Sequence, residues 1–283
     1  MLKSALYIVP TPIGNLEDIT LRAVRVLKEA TLIAAEDTRH SKLLLDHLGV
    51  SGAKLVSCYD QVEEQKAALI IDEVRRGGSV ALISDAGSPL INDPGYRVVR
   101  QCALSGVKVV PLPGPCALIT ALEAAALPTD RFEFRGFFPV KDKELRDTVK
   151  ELENARGTTV FYETPRRILA TCEVLAELLP EHPVALCREM TKAFESFYRM
   201  QAKELPAFLK ADPDRCRGEF AVAVGAAESR ADTGIPEAVR TAAEELLSNN
   251  SAKTVSQVLS DLTGLRRKEL YALACALKDA RGA

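Results

Sequence analysis

The sequence predicts an α/β protein made of two α/β units, with a small helical module after them. Three observations point there. Short β-branched runs alternate with helix-period segments through the first 225 residues, the rhythm of a mainly parallel sheet covered by helices. Three of the early strand-like runs end in similar Gly- and Pro-rich passages: PTPIGN, SDAGSPLINDPGY and PGPC. Beyond Gly225 the pattern turns polar and then wholly helical in period.

In chain order, LYIV, TLIAAE, KLVSC, SVALIS and KVVPL read as strands. TLRAVRVLKEA, HSKLLLDHL, QKAALIIDEVRR and YRVVRQCALSG read as the helices between them. Gly77 and Gly78 in RRGGSV mark a helix end entering a strand. This first unit takes residues 1–117, although the helix CALITALEAA suits either side of that boundary. Residues 118–228 form the second unit, where FEFRGFF, TTVFYE, PVALCRE, ESFYRM and GEFAVAVG are separated by helices near 142–155 and 165–179. More strands between fewer helices imply that some are antiparallel. AAESRADTGIP is a polar linker, and residues 234–283 read as a separate helical module.

Composition excludes several classes. At 283 residues and 47% hydrophobic content, the chain has the makings of well-filled cores and not of a disordered protein. A formal net charge of -2 excludes a surface that is basic all over, so any nucleic-acid contact must be local. Cysteines stand at 58, 102, 116, 172, 187, 216 and 275 without a C-x-x-C pair, so zinc and redox motifs are absent. Thiols in apolar runs such as PVALC read as buried and reduced, which suits the cytoplasm. The opening apolar run is too short for a signal peptide, and no stretch has spanning length, so no membrane association is expected. His40 and His47, seven apart on a helix-like segment, can share a face, but no third ligand accompanies them and no metal site is expected.

The three strand-end passages need a common cause. Turn chemistry alone accounts for their composition. In parallel sheets, however, ligands bind beyond the carboxyl ends of the strands, where all three sit. No G-x-G-x-x-G follows a strand and no G-x-x-x-x-G-K-[ST] occurs, so neither a dinucleotide site nor a polyphosphate cradle is indicated. Prolines that fix φ and glycines that leave room for close approach suit an uncharged or zwitterionic ligand held by backbone groups.

Taken in order, PTPIGNLEDITLRAVRVL, LIAAEDTR, LISDAGSPLINDPGY, VVPLPGP, FYETPRR and REMTK resemble the tetrapyrrole-methylase superfamily. Within it they are most similar to the bacterial enzymes that methylate a cytidine ribose 2′-oxygen in small-subunit ribosomal RNA. The resemblance implies two α/β domains of the tetrapyrrole-methylase type, with S-adenosylmethionine folded into the cleft between them, and a homodimer. Carried over by position, it places Ile13, Gly14, Asp85, Gly87, Ser88, Pro89, Cys116, Ala117, Tyr162, Glu163 and Leu186 around the cofactor. Where the family commonly reads H-x-H-N-E, this chain has YDQVEE, and Arg166 replaces a common histidine in FYETPRR.

Transfer of a methyl group to a ribose hydroxyl needs positioning and a home for the proton. Glu36 and Asp37 after the second strand, and Lys192 in REMTK, are the candidates, with Arg39, Arg188 and Glu189 beside them. A salt-bridge cluster between the domains is the competing reading of the same residues. Arg266, Arg267 and Lys268 open the last helix after a tight Thr-Gly turn, an arrangement that resembles a helix-turn-helix and fits RNA phosphates. A plain helical hairpin with solvated charges fits equally. Arg131, Arg135, Lys141 and Lys143, interleaved with Phe, are a second candidate grip on RNA, with a solvated loop as the alternative. Two rival functions share these features: methylation of a small porphyrin-like molecule, and a non-enzymatic RNA-binding assembly factor.

Overall fold

A computed structural model describes residues 2–59, 62–226 and 235–281. The chain divides into two compact units, Met1–Ala227 and Glu228–Ala283. Most of the predicted linker, residues 227–234, lies outside the described residues. Both α/β layers fall within the first unit.

The first layer runs β1 (Leu6–Ile8), α1 (Leu21–Glu29), β2 (Leu32–Ala35), α2 (Thr38–His47), β3 (Lys54–Ser57), α3 (Glu63–Arg75), β4 (Val80–Ile83), α4 (Tyr96–Leu104) and β5 (Val109–Pro111). Local chemistry sets the helix starts. The Thr20 hydroxyl accepts from the Ala23 amide at the head of α1, and Asp37 accepts from Arg39 at the head of α2. Ala23, Val26 and Leu27, at helical spacing, bury the inner face of α1. All strand pairs in this sheet are parallel, in the order β3-β2-β4-β1-β5. The strands β4, β1 and β5 are thus neighbours, with Leu6 opposite Val80 on one side and Val109 on the other. Their carboxyl ends, which carry the three unusual loops, emerge side by side.

The second layer runs α5 (Ala117–Ala125), β6 (Phe132–Phe137), α6 (Asp142–Glu151), β7 (Thr158–Glu163), α7 (Ile168–Leu178), β8 (Pro183–Arg188), β9 (Ser196–Gln201), α8 (Leu205–Lys210) and β10 (Phe220–Val224). Its order is β6-β7-β10-β8-β9, with β6 and β7 parallel and the remaining pairs antiparallel, the mixed sheet expected from its composition. Strand parity gives this sheet two unlike faces. Phe161, Leu186, Phe220 and Val222 pack with α7 and α8 in a core of large side chains. On the other face Ala185, Cys187, Ala221 and Ala223 leave room for α5, whose Leu118, Ala121, Leu122 and Ala125 settle on them. The helix CALITALEAA therefore packs on the second sheet.

The C-terminal unit consists of α9 (Glu237–Leu247), α10 (Ala252–Thr263) and α11 (Arg267–Arg281) around Leu247, Val255, Leu259, Leu270 and Leu273. Ser251 caps α10, and Gly264, with φ 71, ends it in the left-handed conformation. Among the described residues, no helix is long and apolar enough to cross a membrane.

Candidate functional site

Hydrogen bonds between the strand-end loops turn three exits into one wall. Thr11 and Gly87 form an isolated antiparallel bridge, the Thr11 amide donating to the Gly87 carbonyl at 2.9 Å and the Gly87 amide returning the bond at 3.0 Å. The Ser88 hydroxyl donates to the Pro115 carbonyl at 2.9 Å. Gly87 has φ +77, and a Cβ there would lie 3.3 Å from Ile13 Cγ2, so both the turn and the close approach of the loops call for glycine. At Gly14 the constraint is space: an added Cβ would come within 2.5 Å of Lys192 Cγ on the second layer.

Beyond this wall a cavity of about 720 Å³ opens between the two layers, within the usual range for small-molecule sites. One side is Ile13, Ala86 to Ser88, Ile91 to Asp93, Cys116 and Ala117; the other includes Phe137, Tyr162 to Pro165, Met190, Lys192 and Gly218 to Ala221. Helix α5 starts at the cavity without a side-chain cap, which leaves first-turn amides for an acidic ligand group. The Tyr162 ring meets Phe134 and Phe137 edge-on, with centroids 4.8 and 5.7 Å away. Burial raises the phenol's pKa.

Four of the five non-glycine residues with positive φ, among the described residues, fall in two loops at this cleft: Leu90 and Asn92 after β4, Glu189 and Thr191 after β8. Such angles persist where surrounding contacts over-determine them, commonly at functional sites. The Thr191 hydroxyl is also buried without a hydrogen-bond partner.

Of the positions carried over from the resemblance, Ile13, Gly87, Ser88, Cys116, Ala117, Tyr162 and Glu163 line the cavity. Gly14 borders a shallower hollow with Asn15, Thr191 and Lys192. Asp85 and Pro89 are not among the lining residues; the Asp85 carboxylate accepts from the Asp37 amide at 3.1 Å. Leu186 does not approach the cavity: fully buried, it faces the large-residue core, while its neighbours Ala185 and Cys187 face α5. Glu163 lines the cavity but its oxygens are committed. They accept from Arg167 at 2.9 and 2.8 Å, from the Thr171 hydroxyl at 2.7 Å and from the Thr164 amide at 2.7 Å.

The candidate proton acceptors separate into two clusters instead of one inter-domain network. Asp37 caps α2 and pairs with Arg39 at 2.7 Å; that side-chain bond pulls its pKa down to about 2. Glu36 accepts from the Asp85 amide at 3.4 Å, and neither Glu36 nor Asp37 lines the cavity. Lys192 does line it, bonded at 2.9 Å to both Glu189 and Glu219. Burial works against its charge, but the bonds to Glu219 and Glu189 outweigh that and raise its pKa, so it stays a cation. Asp37 and Lys192 are therefore poor proton acceptors, for opposite reasons. Asp93, whose sequence setting is that of a turn residue, lines the cavity with its pKa raised by burial.

In the second candidate RNA grip, Arg135 pairs with Glu133 and Glu151, and Lys141 with Glu144. Arg266, Arg267 and Lys268 are exposed at the start of α11, and Arg266 meets Glu269 at 3.1 Å.

A profile for the tetrapyrrole (corrin/porphyrin) methylases matches residues 5–206. The chain is 45% identical over 270 residues to the ribosomal RNA small subunit methyltransferase I of Escherichia coli O157:H7, covering 95% of this chain and 94% of that one. The protein of the same description from Pseudomonas aeruginosa is 41% identical, with 96% of each covered. Among solved structures, the methyltransferase CobJ superposes with a TM-score of 0.58 at 18% identity, covering 80% of this chain and 95% of that one. Uroporphyrin-III C-methyltransferase from Thermus thermophilus, complexed with S-adenosyl homocysteine, gives 0.51 at 22% identity, covering 78% and 97%.

Proposed function

We propose, for a chain that belongs to the tetrapyrrole (corrin/porphyrin) methylase family, that its cleft serves ribose methylation of RNA. The protein is an S-adenosylmethionine-dependent methyltransferase that acts on small-subunit ribosomal RNA, at the 2′-oxygen of a cytidine. One observation carries the choice of RNA over a small porphyrin-like substrate. The likeness to ribosomal RNA methyltransferases spans 95% of the chain, whereas the two superposed methyltransferases, one of them acting on uroporphyrin-III, are covered almost whole yet leave about a fifth of this chain unmatched.

The residues present fit the cofactor. The cavity has the volume for it, the uncapped start of α5 suits its carboxylate, and the lining acids Asp93, Glu189 and Glu219 suit a cation. Ile13, Gly87, Ser88, Cys116, Ala117 and Tyr162 would hold it, largely through backbone and ring surface. When bound, S-adenosylmethionine supplies a methyl group already activated by its sulfonium charge. The chain's own part is then positioning. The loops joined by Thr11, Gly87, Ser88 and Pro115 fix one wall, and the Lys192 ion pairs fix the other. Phe137 and Tyr162 present ring surface on which a base or ribose can lie.

The RNA is held as well by Arg266, Arg267 and Lys268 at the exposed start of α11, with the assembled ribosomal subunit as the substrate form, and the enzyme works as a cytoplasmic homodimer. Cysteines without disulfides support the reducing compartment. The test incubates purified small ribosomal subunits lacking the modification with labelled cofactor, then maps the product by mass spectrometry. One methyl group on a cytidine ribose is expected. Label in a tetrapyrrole but not in RNA would overturn the reading.

A further inference from the structure

We propose that the carboxylate of Asp93 is the catalytic residue that takes the proton from the attacking ribose hydroxyl. This rests on the reading of the cleft as a site of ribose 2′-O-methylation. The argument starts from which acids can do the work. Four carboxylates line the cavity: Asp93, Glu163, Glu189 and Glu219. Glu163 is saturated by Arg167, Thr171 and the Thr164 amide. Glu189 and Glu219 share Lys192, and Glu189 also accepts from the Glu219 amide. A carboxylate held by a cation or by several donors is a weak base. Asp93 differs: among the described residues it forms no ion pair, burial raises its pKa despite the nearby Ser84 hydroxyl, and the charge of Asp85 raises it further.

A second feature keeps it so. Asp93 lies just before the N-terminus of α4, where free amides would favour its ionised form. Those amides are taken by another acid. Glu63, only 3% exposed, accepts from Gly95 and Arg97 at 2.9 Å and from Val98 at 3.4 Å. Capping is thus assigned to Glu63, and Asp93 is left to line the cavity. Asp85 from the same loop and Tyr162 from β7 are ionisable groups that lie near Asp93, and among the described residues no ion pair holds it.

The step balances. The 2′ O–H bond breaks as its proton passes to Asp93, a lone pair of that oxygen forms the new O–C bond, and the C–S bond electrons return to sulfur. Asp93 then releases the proton to solvent. A carboxylate whose pKa is raised toward the working pH is a better acceptor than an ordinary one.

The test compares wild type, D93N and D93E on small ribosomal subunits in single turnover across pH, with S-adenosylhomocysteine affinity measured by calorimetry. D93N is expected to lose about a hundredfold or more in rate, to keep product affinity within threefold, and to lose the fall in rate at low pH. D93E, which keeps a carboxylate, should recover at least tenfold over D93N along with that acid limb. An NMR titration of the wild-type Asp93 carboxylate, independent of any variant's folding, should place its pKa above the usual aspartate range. Titration at or below that range, or D93N turnover within twofold of wild type, overturns the assignment. A tenfold loss of product affinity in D93N makes Asp93 a cofactor ligand and overturns it too. A wild type that methylates no ribose would instead sink the functional reading itself.

Discussion

The hydroxyl of Ser88 donates to the carbonyl of Pro115 at 2.9 Å, joining the loop after β4 to the loop after β5 across 27 positions of sequence. The bond links two segments that both line the cavity. Ser88→Ala removes the donor, and a net hydrogen bond is worth about 0.5–1.5 kcal/mol. If it holds the wall in shape for the cofactor, affinity for S-adenosylmethionine falls about threefold to tenfold, with a melting temperature within a few degrees of wild type. Calorimetric titration checks this; unchanged affinity would reduce the bond to a folding contact.

Glu163 gives the opposite expectation. Its side chain is fully buried, and every bond it makes is internal to the protein. In Glu163→Gln one oxygen becomes a donor facing Arg167 and Thr171, which leaves the guanidinium without its full partner. Disrupting a buried pair costs about 3–5 kcal/mol. Thermal unfolding should show a drop of that size, while cofactor affinity, measured well below the transition, stays near wild type. A stable variant with poor affinity would return Glu163 to the binding role.

Asp37 sets a pH dependence. Its folded-state pKa is lowered from 3.8 to about 2, chiefly by the Arg39 side chain and amide. The ionised form is favoured by folding, so its contribution is complete above the unfolded value and disappears as pH falls from 3.8 toward 2. The melting temperature of Asp37→Asn should therefore lie below wild type by a constant amount above about pH 5. The gap should close as both are acidified. A gap that is unchanged down to pH 2 would show that Asp37 acts only through shape.

The tail makes a test on RNA. Replacing Arg266, Arg267 and Lys268 together with glutamine should weaken binding to ribosomal RNA and reduce the slope of log affinity against log salt by about 2 to 3 if each meets a phosphate. Cofactor affinity should not change. Wild-type affinity with a wild-type slope would make the start of α11 a packing element and move the RNA contact elsewhere.

The alternation of strands and helices, the mixed second sheet and the convergence of three loops were legible in the sequence because each rests on local pattern. Strand parity was not. VALC in β8 is apolar at every position, so nothing in it tells whether Leu186 or its neighbours face the ligand. The structure turns Ala185 and Cys187 toward α5 and Leu186 away. Acid roles were equally hidden. Asp93 and Glu63 each stand among residues that turns and helix starts explain well, and only the three-dimensional placement shows Glu63 capping α4 while Asp93 faces the cavity. Small side chains at 185, 221 and 223 were the one available clue to the ligand-facing side of the second sheet.

The left-handed backbone at Leu90, Asn92, Glu189 and Thr191 has a consequence for turnover. Each such residue costs of order 1–3 kcal/mol, met when the chain folds. The loops then have little conformational entropy left to surrender on capture, and ligand affinity is not drained by ordering them. A receptacle already set in shape distinguishes poorly between two guests that differ by one methyl group. Charge separates them instead. Methyl donation converts a sulfonium into a neutral thioether, so the guest loses its attraction to the acids of the lining, among them Asp93 and Glu219. The reaction thereby loosens its own by-product.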